Sequence, residues 1–272
     1  MDYKYIIKNG KLVNKEKACV SIFNKALFFD FAVYSNIKVI MSKLFLPEIE
    51  IEKLFESAKT LKLKHNYKRE NILKWTNLLA QKNNIQDALI RILLIGPEQD
   101  SDPQLFLFPI GLTFYPKQFY KNGVKLITFP GERYFPTAKT KNLLISYIAY
   151  QKATKSDALD ALLIDKDGNI REGTRCSFFV IKNNTLITPP KEKVLEGITR
   201  KIILEIAPQI LKVREDNIAL KNIENYDEYF ISNTSMNIIP IRQIDNIVLN
   251  KNVGEKTKEL INLYRNYYKK NV

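Results

Sequence analysis

Apolar runs of strand length and apolar residues at helical spacing alternate along the chain, without the regular period of a doubly wound sheet. That irregular alternation calls for a mixed α+β architecture, and no internal repeat or low-complexity segment competes with it. Asn9-Gly10 lies between Tyr5-Ile6-Ile7 and Leu12-Val13, a strong hairpin signal because both turn positions want a left-handed backbone. A third strand-like run covers Ala32–Met41. Ile51, Leu54, Phe55, Ala58 and Leu61 recur at helical spacing over 50–62, and a second helix is expected between Glu70 and Gln81. Strand-like runs at 88–95 and 104–115 follow. Residues 116–123 are polar and turn-rich and read as a linker, which divides the chain into lobes at 1–118 and 124–272.

The second lobe reads as a strand at 124–129, a helix at 142–154, and strands at Ala161–Asp165 and Ser177–Ile181 flanking a turn at Asp167-Gly168. A hairpin at Asn183-Asn184 leads into Leu186-Ile187, and a helix runs from Ile198 to about Pro208. Strands at 228–232 and 237–248 and a closing helix at 255–268 complete it. The expected fold is α+β in two lobes, a smaller N-terminal α/β lobe and a larger, mixed, β-rich C-terminal lobe.

Composition narrows the function classes. With 272 residues, of which 45% are hydrophobic, a substantial core can form. Two cysteines, Cys19 and Cys176, are too few for a disulfide framework, so a cytoplasmic setting is expected. The opening run is charged and turns early, unlike a signal peptide. The longest apolar run, Leu105–Tyr115, is broken by Pro109 and Gly111 and is about half the length of a membrane span. The formal net charge is +14, but the lysines are scattered and no ribonucleoprotein, KH or zinc-finger pattern occurs. Neither a nucleic-acid partner, a membrane nor a metal site is expected. A basic field would also suit a phosphorylated cofactor or dicarboxylate substrates.

Three segments carry the chemistry. Arg171-Glu172-Gly173-Thr174-Arg175-Cys176-Ser177 leads through a hairpin to Val194-Leu195-Glu196-Gly197-Ile198-Thr199-Arg200, where a helix begins. A glycine followed by backbone amides at a helix N-terminus is an anion site. Lys139-Thr140-Lys141-Asn142-Leu143-Leu144 lies upstream, and Ser232-Asn233-Thr234-Ser235-Met236 lies late in the chain. Alone, each reads equally as a common helix start, a surface lysine or an ordinary turn.

Together these segments resemble the class IV aminotransferases, the fold-type IV pyridoxal-phosphate (PLP) family of branched-chain aminotransferases, D-amino-acid aminotransferases and aminodeoxychorismate lyase. The resemblance covers nearly the whole chain and is strongest from Lys139 to Pro240. It implies a two-lobe fold like that of D-amino-acid aminotransferase, with pyridoxal 5′-phosphate as cofactor. Lys139, three residues before Asn142, matches the Schiff-base lysine, whereas Lys141 fits that spacing poorly. Glu172 matches the carboxylate that faces the pyridine nitrogen. Ile198 and Thr199 would give backbone N–H groups to the phosphate, Thr234 a hydroxyl, and Leu195 would pack on the ring. Tyr34, Arg91, Arg175 and Ser235 are candidate substrate contacts; Arg91, inside an apolar strand, needs a partner or a cleft, and a pocket Arg175 would suit a carboxylate. The family also implies a homodimer.

The chain departs from the family pattern in places. The family's His-x-x-Arg-Leu stretch is Glu50-Ile51-Glu52-Lys53-Leu54 here, so Lys53 would offer the phosphate a charge without a bidentate fork, and Glu50 a negative charge nearby. Asp30-Phe31-Ala32 replaces Gly-Asp-Gly, Ser177 stands where asparagine is usual, and Leu144 where branched-chain enzymes commonly have tyrosine. Gly96–Gln104 has no clear match to the arginine and histidine that hold a D-amino acid's carboxylate. The expected activity is transfer of an amino group between an amino acid, of branched-chain or D type, and a 2-oxo acid. A PLP lyase of the aminodeoxychorismate type and a non-catalytic family member are the alternatives.

Overall fold

A computed structural model describes residues 3–98, 101–249 and 252–271. Two of the residues between Gly96 and Gln104, Gln99 and Asp100, lie outside them. The chain divides into two compact units: Met1–Leu112 with Ala138–Asn142 and Asn271–Val272, and Thr113–Thr137 with Leu143–Lys270. The five-residue segment that carries Lys139 thus packs with the first unit, although the sequence places it within the second lobe.

The first unit holds β1 (Tyr5–Lys8), β2 (Lys11–Asn14), α1 (Lys25–Phe28), β3 (Ala32–Ile40), β4 (Lys43–Phe45), α2 (Pro47–Thr60), α3 (Arg69–Lys82), β5 (Ala88–Ile95) and β6 (Gln104–Ile110). Asn9 and Gly10 have φ of 49° and 80°, which turns β1 into β2 as expected. The strands form one antiparallel sheet in the order β2-β1-β6-β5-β3-β4. Alternate residues Val33, Ile37 and Val39 of β3 bury against Ile51, Leu54 and Ala58 of α2 and Ile72 and Leu79 of α3. Ser35 stands on that same apolar face and is fully buried. Residues 138–142 run beside β3 through a bridge between Val33 and Thr140.

The second unit holds α4 (Lys117–Asn122), β7 (Val124–Pro130), α5 (Leu144–Lys155), β8 (Asp160–Ile164), β9 (Asn169–Gly173), β10 (Ser177–Lys182), β11 (Thr185–Thr188), α6 (Ile198–Ile206), β12 (Lys212–Glu215), β13 (Ile218–Ala219), β14 (Glu228–Asn233), β15 (Asn237–Ile244), β16 (Ile247–Val248) and α7 (Glu255–Lys270). The expected linker at 116–123 contains α4, a short helix with no buried residue to mark it by periodicity. β9, β12 and β13 are further elements beyond the expected set. Strands pair in the order β12-β11-β10-β14-β15-β7-β8-β9-β13, and a further β9–β10 contact closes β10 through β9 on itself. β7 runs parallel to both β15 and β8, and the remaining pairs of that ring are antiparallel. Leu126, Leu162, Ile170, Phe178, Val180, Ile231 and Ile239 form its core.

Among the described residues no helix is long and apolar enough to cross a membrane. No group of three His, Cys, Asp or Glu side chains among them could hold a metal ion.

Candidate active site

Lys139 is fixed by its backbone on both sides. Its N–H donates to Ser57 Oγ at 3.0 Å, and its carbonyl accepts the Tyr34 N–H at 3.0 Å. Lys141 N–H donates to the Ala32 carbonyl at 2.9 Å, which continues the pairing along β3. Ser57 is a helix residue whose own hydroxyl donates to the Lys53 carbonyl one turn earlier, at 2.7 Å, so its oxygen is held toward Lys139.

The Lys139 side chain is only 16% exposed. Its Nζ lies 3.9 Å from Glu50 Oε2 and 5.5 Å from the centre of the Tyr34 ring. Glu50 sits near the start of α2, where the helix dipole favours a carboxylate, and it accepts a hydrogen bond from the Ser35 hydroxyl. Lys53 follows one turn later on α2 with its Nζ buried. Arg91 has the partner its strand position demands: Nε donates to Asn36 Oδ1 at 3.0 Å, and the guanidinium lies 5.0 Å from the same Tyr34 ring. Lys139, Tyr34 and Arg91 are therefore neighbours.

In the second unit, Glu172 is buried on β9. Its side chain and that of Arg133 are each 8% exposed and stand 3.5 Å apart, and the Leu195 N–H donates to Glu172 Oε2 at 3.4 Å. Burial pushes the Glu172 carboxyl above its ordinary value, against the pull of Arg133, the Leu195 N–H and the fully buried Arg200. Two cross-strand pairs put Ser177 opposite Glu172 and Ser232 opposite Ser177, so the three side chains share one face. The Ser177 hydroxyl in turn faces Gly197, whose added Cβ would stand 3.7 Å from it. Gly197 caps α6 with no side-chain hydrogen bond, leaving Ile198 and Thr199 at the first two helical positions, whose N–H groups lack intrahelical acceptors. Ser232 Oγ is buried without a hydrogen bond. Thr199 Oγ1 is also buried, beside the Tyr264 hydroxyl but with no hydrogen bond of good geometry.

The turn after Glu172 is built by Asp160, fully buried on β8, which accepts hydrogen bonds from the Ala161 N–H, the Thr174 N–H and hydroxyl, and the Cys176 thiol. Gly173 leaves no room for a side chain, since a Cβ there would overlap Cys176 Sγ. Burial, and then Asp160, push the Cys176 thiol well up, which suits an inert structural cysteine. Arg175 lies at the tip of this turn, exposed, with its guanidinium 3.9 Å from the centre of the Tyr150 ring. Thr234 and Ser235 occupy the turn from β14 to β15, where Asn233 Oδ1 accepts the N–H groups of Ser235 and Met236 at 2.9 and 2.8 Å. Arg133 is not singled out in the sequence, and Ser232 and Asn233 stand in a segment that is, but without a role of their own. Asn233 is a turn residue whose partners lie two and three positions on, a signal the sequence does offer, whereas Arg133 meets Glu172 only through the fold.

These groups fit PLP. The unpartnered Ser232 hydroxyl and the uncapped start of α6 can accept a phosphate, and Glu172 on the same face can hold a protonated ring nitrogen.

The family model for class IV amino-transferases matches residues 32–244. A putative branched-chain-amino-acid aminotransferase of Methanocaldococcus jannaschii is 31% identical over 271 residues, covering 94% of this chain and 93% of that protein. A D-alanine aminotransferase of Staphylococcus epidermidis is 29% identical over 272 residues, covering 95% and 96%. The fold is that of the branched-chain aminotransferase of Thermobaculum terrenum, solved in its PLP form, with a TM-score of 0.86, 21% identity, and coverage of 99% and 95%. The chain belongs to the class IV aminotransferase family.

Proposed function

We propose that this PLP-dependent aminotransferase moves an amino group from a branched-chain or D-type amino acid to a 2-oxo acid, with Lys139 as its catalytic residue. One observation carries the reading most. Glu172, two serine hydroxyls and the uncapped start of α6 lie together at one buried face, an acid and a set of donors of the kind that a pyridine ring with a phosphate requires. When bound, PLP supplies an aldehyde for the amino group and a ring that accepts electrons.

The protein's own residues do the rest. Lys139 is the residue that would hold the cofactor's aldehyde, and its amine would take a proton from the substrate α-carbon and return it. Glu172 would keep the ring nitrogen protonated. The N–H groups of Ile198 and Thr199 and the Thr234 hydroxyl would hold the phosphate, with Lys53 as a candidate for added positive charge, and Leu195 would pack on the ring. Tyr34 lines the substrate side, and Arg91, held open by Asn36, offers its remaining N–H donors to a side-chain carboxylate. Arg175 and Ser235 contact substrate from their two turns.

We also infer a homodimer, on the strength of Ile22, Phe23, Phe28 and Phe29, which are 73–78% exposed within eight residues. Two unpaired cysteines support a cytoplasmic location.

The test is borohydride reduction of the PLP-loaded protein with peptide mass mapping, followed by a screen of amino donors. A pyridoxyl adduct on Lys139 and turnover that requires a 2-oxo acid are expected. Turnover without a 2-oxo acid would make the enzyme a lyase. Absence of any adduct at saturating PLP would leave the chain as a non-catalytic member.

A further inference from the structure

Glu50 is a buried acid near the start of α2, and what it faces gives it a task. Its side chain is 3% exposed. A buried carboxylate is retained only when a cation and hydrogen bonds compensate its lost hydration. Both are present. The Ser35 hydroxyl donates to Oε2, and the same oxygen lies 3.9 Å from Lys139 Nζ. Ser35 is itself fixed, on the buried face of β3. The lysine backbone is pinned independently by Ser57 and Tyr34, so the geometry at Nζ is set from both ends of the residue. Lys53, one turn along α2, is the other charged side chain on this stretch of the helix with a buried head group.

We propose that Glu50, oriented by Ser35, is the positioning residue for Lys139, aiming Nζ during proton transfer. This rests on the assignment of Lys139 as the reactive lysine. In the transfer the substrate Cα–H bond breaks, its electron pair stays with the substrate, and the proton joins Lys139 Nζ. Glu50 neither gains nor loses a proton. Its charge stabilises the new cation, and that stabilisation is larger in a buried site than in water. An acid is thus coupled to the lysine in this chain, with Ser35 as a second required part.

The test reads the lysine directly. The protein stripped of cofactor is treated with a trace of a small acylating reagent, and labelling of Lys139 is measured by peptide mass against exposed lysines as internal standards. A side chain drawn against a carboxylate presents its amine less freely to a reagent, so Glu50→Gln should label about tenfold faster than the native protein, for a close, partly buried charge pair. Glu50→Asp should fall between them. In the loaded enzyme Glu50→Gln should lower kcat about tenfold or more with KM little changed, because the interaction matters most once the proton is on the lysine. Ser35→Ala keeps the charge but frees the carboxylate, and should raise labelling about threefold by loosening the pair; it serves if Glu50→Gln does not fold. Labelling of Lys139 that is unchanged in the folded variants would overturn the proposal. Borohydride mapping of the native protein separates the two failures: an adduct on another lysine sinks the assignment of Lys139, whereas an adduct on Lys139 with unchanged labelling sinks only the role of Glu50.

Discussion

Replacing Ser57 by alanine tests whether the backbone of Lys139 is held as described. Ser57 is 3% exposed, and its oxygen is the acceptor for the Lys139 N–H at 3.0 Å. The alanine methyl occupies the space of Cβ, so the loss is almost purely the hydrogen bond. Leaving a partly buried N–H without a partner costs about 1–3 kcal/mol. Alanine returns about 0.5 kcal/mol through its better helix preference, and the lost hydroxyl bond to the Lys53 carbonyl is close to neutral. The net expectation is a loss of about 1–2 kcal/mol, read as a lower urea midpoint with an unchanged m-value. The effect should also be local. Exchange of the Lys139 amide hydrogen should accelerate about tenfold, because each 1.4 kcal/mol is a factor of ten in an opening equilibrium. Adduct formation with PLP should slow by a similar factor, since the amine is no longer delivered from a fixed backbone. If the Lys139 amide exchanged at its native rate in Ser57→Ala, the hydrogen bond would not be what anchors the lysine.

Three other outcomes follow from the same structure. Lys38 is 6% exposed on β3 and burial draws its ammonium down from 10.5 to about 8, with Asp87 pulling the other way; the native state therefore binds fewer protons than the unfolded chain, a cost of about 3 kcal/mol that is fully present below pH 8 and fades as pH rises through 10.5. Lys38→Met should raise stability by up to that amount in urea melts at pH 7 and by much less at high pH; equal gains at both would refute it. Because burial raises the Glu172 carboxyl, the native state holds its proton over a range of pH above the ordinary carboxylate value where the unfolded chain has lost it, so cofactor-free stability should fall as pH rises through that range. Glu172→Gln should remove that slope in thermal melts and also weaken PLP binding; a slope that persists would place its origin elsewhere. Gly173→Ala forces a methyl onto the buried Cys176 sulfur and should cost about 1–3 kcal/mol in the turn beside Glu172, with native-like stability counting against the packing described.

Much of the fold is legible because its signals are local. Asn9-Gly10, Asp167-Gly168 and Asn183-Asn184 mark hairpins because their residues tolerate the left-handed backbone a tight turn needs, and Asn9, Gly10, Gly168, Asn183 and Asn184 all adopt positive φ. α2 and α3 are readable from the spacing of the residues they bury. Where burial comes from distant partners, that reading fails. β9 buries Arg171 and Glu172, charged residues that no apolar run marks as strand, and Asp165 and Arg133 beside them make that burial tolerable. α4 buries no residue, so no periodicity announces it.

The candidate site divides along the same line. Resemblance to a family pattern, rather than any local preference, marks Lys139, Glu172 and the glycine before α6 in the sequence. Register and helix packing decide the rest. The pairing of Ser177 with Glu172 and of Ser232 with Ser177 makes a polar face from three strands, and contacts among β3, α2 and residues 138–142 set Ser35 and Glu50 beside Lys139. Such meetings join positions up to about a hundred residues apart, and they depend on which strand faces which, a property that no local preference of the backbone encodes.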